Sequence, residues 1–203
     1  MHKPTLRKFA ITYPRSGSHL MGKAYGLKDW AARETNPDPS FKALTELIAK
    51  LNLNIWVHYY YSPRLVWTLE ESGADCYILL RDPRDIIVSL AHYVEDRPDT
   101  FPNFYYLPDE KLSDYPFTER IDILIAYAFY DMLEYELYRQ CDIFKPIYYE
   151  DLLKLPDAQI YTKYKVRGIV GAYKDEMTPE QIRCSSDRFE PLIEAWRKRG
   201  HNA

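Results

Sequence analysis

Residues 75–93 read DCYILLRDPRDIIVSLAHY. The first six are an almost unbroken apolar run, of the length and composition of a strand buried on both faces of a parallel sheet. RDPR at 81–84 is a turn, and Asp85 to Val94 has helical spacing. A buried strand running through a tight polar turn into a helix is half of a βαβ unit, and the flanking sequence repeats the pattern. Upstream, Lys8 to Tyr13 (KFAITY) reads as a strand, Pro14 to Ser18 (PRSGS) as a turn, and His19 to Leu27 as a helix. Asn36 to Ser40 (NPDPS) is a loop with a cap signal ahead of a helix at Phe41 to Leu51. Leu53 to His58 (LNIWVH) is a second strand, and Pro63 to Ser72 is a helix stopped by Gly73. Downstream, Phe117 to Gln140 is the longest helix, with an apolar stripe at Ile121, Ile123, Leu124, Tyr127, Ala128 and Met132. Phe144 to Tyr149 is a fourth strand, followed by a short helix at Asp151. Thr178 opens the last helix, with Pro179 at a tolerated first position. Between Glu95 and Pro116, four prolines and the aromatic residues Phe101, Phe104, Tyr105 and Tyr106 indicate a long irregular loop or lid. This alternation predicts an α/β fold: one three-layer domain over residues 1–203, with a central parallel sheet flanked by helices. Ligands of such sheets bind beyond the carboxyl ends of the strands.

Composition narrows the function. The 203 residues carry 27 Lys plus Arg against 30 Asp plus Glu, a net charge of -3. That gives no general attraction to nucleic acid or to an anionic membrane. No apolar run approaches the ~18 residues of a transmembrane helix, and the basic, polar start lacks the apolar core of a signal peptide. Cys76, Cys141 and Cys184 are widely spaced and form no CxxC pair. A reducing compartment, hence a cytoplasmic location, is expected, and no metal site. There are 19 tyrosines beside 7 glycines, so some of these amphipathic rings are expected to line a pocket or an interface.

Four segments carry candidate chemistry. TYPRSGSH at 12–19 joins the first strand to a helix N-terminus, where main-chain amides and the helix dipole favour an anion. Gly17 permits close backbone approach, and Arg15, Ser16 and Ser18 add donors. The GxxxxGK[ST] spacing of a nucleotide-triphosphate loop is absent, and the turn alone is equally compatible with an ordinary helix start. In the second segment Arg81 emerges at a strand end with Ser89 in the next helix, placed to clamp a phosphate. The alternative is a purely structural Arg–Asp network of Asp82, Arg84 and Asp85. Tyr149 in IYYEDL (147–152) and Arg167 with Gly168 in RGIVGAYK (167–174) complete the set. A core tyrosine and a surface loop are their respective alternatives. His58 closes the second strand and is the candidate general base, its pKa range suiting proton transfer near neutrality. A lone histidine is also compatible with a structural role. His19 and His92 are weaker candidates for the base.

Together these segments resemble the sulfotransferases that use 3'-phosphoadenosine 5'-phosphosulfate (PAPS). TYPRSGSHL is similar to that family's TYPKSGTTW loop, and YILLRDPRDIIVSLAHY to its YxxRNPKDxxVSxxHF segment. IYYEDL is similar to its YEDL segment, and RGIVGAYK to RKGxxGDWK. The resemblance implies that Arg15, Ser16, Gly17, Ser18 and His19 hold the cofactor's 5'-phosphate, with Arg15 in the place of the family's lysine. It implies that Arg81, Ser89, Arg167 and Gly168 hold the 3'-phosphate, that Tyr149 lies near the adenine, and that His58 is the catalytic base. The implied reaction is in-line transfer of a sulfuryl group from PAPS to an acceptor hydroxyl, without a metal. Tyr59 to Tyr61 and the loop around Phe101 to Tyr106 are expected near the acceptor, a small molecule or a carbohydrate. The chain departs from the family at Leu20, where cytosolic members have a stacking Trp, and at Trp56, where a Lys is common. It is also short between Asp151 and Arg167. KDEMTPEQIR has Pro179 and Arg183 where the family's dimer motif, KxxxTVxxxE, has Val and Glu, so a family-type dimer is not expected. Two other functions share these features: a non-catalytic module that retains a phosphate site, and a P-loop kinase of a small metabolite.

Overall fold

In the computed structural model the described residues are 8–29, 54–58, 61–96, 111–155 and 169–198. They gather into two compact units, one of residues 1–80 with 134–161 and the other of residues 81–133 with 162–203. No helix among the described residues is long and apolar enough to cross a membrane.

The first unit contains the whole sheet. Strands β1 (Lys8–Ile11), β2 (Lys28–Asp29), β3 (Asn54–Val57), β4 (Asp75–Leu80) and β5 (Phe144–Tyr148) lie in the order β2-β3-β1-β4-β5. Every pairing is parallel, as the strand–helix alternation predicts. β1 is central, and the chain leaves it toward β3 on one side before crossing to β4 on the other. This puts a switch in winding at the carboxyl end of β1, where ligands of such sheets bind. Helix α1 (Ser18–Tyr25) follows β1, and α2 (Pro63–Ser72) follows β3. The Ser62 hydroxyl caps α2 by accepting from Leu65 N–H, and Gly73 ends the helix in a left-handed conformation that favours glycine. α1 packs on the sheet through a cluster of Ala10, Met21, Leu27, Trp56, Leu79, Ile147 and Leu152, with Leu20 and Tyr77 against it. Leu20 and Trp56, the two departures from the family pattern, thus both serve this packing. Cys76 is buried in the sheet, and burial, reinforced by the charge of Asp75, pushes its thiol up to about 12. Alkylation of the folded protein at pH 8 should therefore label Cys141 and Cys184 and leave Cys76 unmodified until unfolding, which peptide mass mapping reads directly.

The described elements of the second unit are helices. α3 (Pro83–Asp96) begins just after β4, and α4 (Phe117–Arg139) starts here and enters the first unit at Glu134. The buried stripe of α4 is Ile121, Leu124, Ile125, Ala128 and Met132, continuing to Tyr135 and Tyr138. The expected stripe is therefore shifted: Ile125 belongs to it, and Tyr127 is exposed. After the short β5-linked α5 (Tyr149–Leu152) of the first unit come α6 (Tyr173–Glu176), α7 (Pro179–Arg188) and α8 (Glu190–Arg197). The single final helix predicted from Thr178 is in fact two, separated at Phe189, whose buried side chain occupies the break. Thr178 and Gln181 form a reciprocal capping box at the start of α7. Gln181 then reaches across to α4, donating to Thr118 O and to the Asp122 carboxylate.

Candidate functional site

The first group of candidate residues lies at the carboxyl edge of the sheet in the first unit. β1 and β3 run in register to their last residues, Ile11 opposite Val57, so Thr12 and His58 emerge side by side. Thr12 N–H donates to Val57 O at 3.0 Å, extending the ladder one residue beyond the strands. The chain then turns through two left-handed residues, Arg15 (φ 66) and Gly17 (φ 110). Arg15 is the one non-glycine residue with positive φ among those described, a conformation that costs about 1–2 kcal/mol for a residue with a Cβ. Backbone strain of this kind concentrates at ligand sites and switches. The turn closes on Tyr13 O, which accepts from Ser16 N–H at 3.0 Å, from Ser16 Oγ at 2.6 Å and from Ser18 Oγ at 3.4 Å. The two serine hydroxyl protons are thus directed into the turn. The first intrahelical bond is Met21 N–H to Gly17 O, and no side chain caps the helix. The amides of Ser18 to Leu20 precede that bond and form the positive end of α1.

Tyr149, at the start of α5, is buried over this turn. A Cβ at Gly17 would lie 2.4 Å from Tyr149 Cδ2 and 2.7 Å from Cε2. Glycine is therefore required here twice, by its φ and by the ring above it. The resemblance implied a place near adenine for Tyr149, and the structure places its ring against Gly17. His19 is exposed on the first turn of α1, edge-on to Trp56 at 5.2 Å. Trp56 also meets His58, 5.1 Å between ring centroids. His58 Nδ1 is bonded to Thr12 O and lies 3.1 Å from Thr12 Oγ1. A carbonyl oxygen only accepts, so Nδ1 carries the proton and the lone pair of the neutral ring is on Nε2. Arg15, Ser16, Gly17, Ser18, His19, His58 and Tyr149 are thus gathered at one edge of the sheet.

The second group lies in the second unit. Arg81 is buried, and its guanidinium donates to Ile169 O at 3.3 Å. The structural Arg–Asp network is present beside it. Arg84 makes a two-pronged bond to Asp82, 2.9 and 2.5 Å, lies 3.9 Å over the Tyr173 ring, and donates to Ser186 Oγ at 3.2 Å. Asp85 accepts from Gly171 N–H at 2.8 Å and Tyr173 N–H at 3.3 Å. Burial raises the pKa of Asp85, and these amides and the charge of Arg81 offset part of the rise. The segment after Gly168 is thus anchored by Arg81, just after β4, and by Arg84 and Asp85 of α3. Ser89 is half-buried in the middle of α3. His92 is bonded to the Glu176 carboxylate and stacked on Phe117 at 4.4 Å, a structural pairing. Arg167 and Gly168 lie outside the described residues, as do Tyr59, Tyr60 and the Phe101 to Tyr106 loop.

Sequence reasoning missed three contributors: Tyr135, whose hydroxyl donates to Thr12 O, Thr12 as a partner of His58, and Asp85 as the anchor of the segment at 169–173. Thr12 is legible in hindsight, because a strand-end polar residue beside a strand-end histidine is a pairing signal. Nothing in the spacing of α4 singles out Tyr135.

No protein-family profile matches the chain, and no curated protein sequence does. Solved structures do. One is the crystal structure of mouse sulfotransferase SULT7A1 complexed with PAP, 17% identical, with a TM-score of 0.64. The match covers 100% of this chain and 90% of that one. The chain has a sulfotransferase-like α/β fold.

Proposed function

We propose that the protein is a PAPS-dependent sulfotransferase, transferring a sulfuryl group to an acceptor hydroxyl. The observation that carries this reading is the juxtaposition at the carboxyl edge of the sheet: the N-terminus of α1, without a side-chain cap, beside a histidine whose Nδ1 is bonded to Thr12 O. The donor set fits a nucleotide phosphate. It offers main-chain amides at the positive end of α1 and the Arg15 guanidinium, held by a turn that tolerates little besides glycine at position 17. Because Ser16 and Ser18 direct their hydroxyl protons to Tyr13 O, the amides and Arg15 are the donors assigned to the 5'-phosphate. Arg81, Ser89, Arg167 and Gly168 are assigned to the 3'-phosphate on their motifs. Bound there, PAPS supplies an activated sulfuryl group whose transfer leaves adenosine 3',5'-bisphosphate. His58 takes the acceptor's proton on Nε2 while Thr12 holds Nδ1–H. Arg15 stabilises negative charge developing on the leaving side, a role worth about 3 kcal/mol for a preorganised donor. Its planar fork differs from the point charge of a lysine.

One observation favours a second reading, a binding module without catalysis. Trp56, where related enzymes commonly have a lysine, is buried in the core and brings no charge. The experiment that separates the two is incubation with sulfur-labelled PAPS and a panel of phenolic, aliphatic and carbohydrate hydroxyls. Label transferred to any acceptor supports the enzyme. Bisphosphate binding with no transfer across the panel supports the module. Magnesium-dependent ATP turnover would point to a kinase instead.

A further inference from the structure

Two donors, from His58 and Tyr135, meet on one threonine at the end of β1. Thr12 is fully buried, and its hydroxyl donates to Val57 O at 3.4 Å. A hydroxyl has a single proton. With that proton on Val57 O, Thr12 Oγ1 can meet His58 Nδ1, 3.1 Å away, only as an acceptor. The Thr12 carbonyl oxygen is bonded to the same Nδ1. Both oxygens of Thr12 therefore require the proton on Nδ1. The carbonyl oxygen has a second lone pair, and it is filled: Tyr135 Oη, arriving from α4, donates to it at 2.5 Å. Tyr135 is itself held, buried and edge-on to Tyr13 at 5.1 Å. The preceding residue of α4, Glu134, accepts from Tyr61 N–H at 2.8 Å, and the Tyr61 ring stands edge-on to Tyr138 at 5.1 Å. One stretch of α4 thus fastens both Thr12 and the chain just beyond His58.

We propose that Thr12 and Tyr135 are positioning residues for His58: they fix its tautomer and orientation so that the basic nitrogen is Nε2. The proposal rests on the reading of His58 as the base, and goes beyond it by naming the groups that set which nitrogen acts. Thr12 acts directly on Nδ1, and Tyr135 acts through Thr12 O, occupying the second lone pair and holding the peptide group in place. Neither touches the reacting atoms. A merely structural pair would support the fold without selecting a tautomer.

The test is nitrogen-15 NMR of the His58 ring, assigned by the signals lost in His58→Gln, at a pH where the ring is neutral. The wild-type protein should show a protonated Nδ1 and a lone pair on Nε2. Both variants keep the Thr12 carbonyl, so each should weaken the preference without abolishing it: Thr12→Val by removing the Oγ1 acceptor and Tyr135→Phe by releasing the carbonyl should each raise the minor Nε2–H tautomer, and Thr12→Ser should restore the wild-type pattern. Both disruptive variants should lower kcat by about five- to tenfold, the loss of one hydrogen bond, with bisphosphate Kd changed less than twofold. A proton on Nε2 in the wild type, or an unchanged tautomer in both variants, overturns the proposal. If Thr12→Val fails to fold, Tyr135→Phe keeps the ring against Tyr13 and carries the same comparison. The NMR measurement needs no turnover. A correct tautomer in a protein that transfers nothing therefore overturns the catalytic reading alone, and active protein with the wrong tautomer overturns this proposal alone.

Discussion

Replacing His58 with glutamine should reduce sulfuryl transfer by about 10²–10⁴-fold, the usual contribution of a positioned general base. Glutamine preserves a side-chain N–H that can donate to Thr12 O, the bond His58 makes through Nδ1. It cannot accept a proton at the position of Nε2. The substitution thus removes the base while sparing the local hydrogen bond. Bisphosphate affinity should change less than twofold, because the amides assigned to the phosphate belong to α1 and to the turn that closes on Tyr13 O. Steady-state kinetics with any accepted hydroxyl, beside calorimetry of the same variant, separates the two effects. Undiminished transfer would remove His58 from the reaction while leaving the phosphate site intact.

Gly17→Val should have an effect of similar size, on binding rather than on chemistry. Any Cβ at position 17 falls 2.4 Å from the Tyr149 ring, and φ 110 is outside the range a β-branched residue adopts. The conformational part costs about 1–2 kcal/mol, and the overpacking part typically 1–3 kcal/mol. Either the turn shifts and misaims the amides of α1, or Tyr149 leaves its buried place. Bisphosphate affinity should fall by about 30-fold at the least, the equivalent of ~2 kcal/mol. The double substitution Gly17→Ala with Tyr149→Ala relieves the contact and keeps the backbone strain. It should therefore bind better than Gly17→Ala alone and worse than the wild type. Equal binding by the two would show that the ring contact is unimportant.

The strand–turn–helix units were legible because each is punctuated locally. The apolar run at 75–80 is β4 to the residue, and Gly73 ends α2 where its left-handed preference predicts. The two-residue β2 was invisible, since so short a strand has no periodicity of its own. The break at Phe189 was missed for a different reason: no glycine marks it, and Pro191 is compatible with the first turn of a new helix. Among the candidate residues named from the sequence, Arg15 to His19, His58 and Tyr149 are brought to one sheet edge by parallel strand pairing. Tyr135, the partner of Thr12, was illegible because it lies more than a hundred residues from Thr12 along the chain. Long-range side-chain pairing leaves no trace in spacing. The tyrosine excess is now partly explained. Tyr13, Tyr135, Tyr61 and Tyr138 form edge-on pairs at the end of α4, and Tyr149 covers Gly17.

The net charge of -3 is compatible with an anionic ligand because the assigned donors are few and fixed. Helix amides and single arginines at strand ends need no broad basic face. The most direct measurement is therefore a calorimetric titration of the full-length protein with adenosine 3',5'-bisphosphate. The account predicts saturable binding at a single site, strongly weakened in Gly17→Val and preserved in His58→Gln. No heat of binding at millimolar ligand would contradict it.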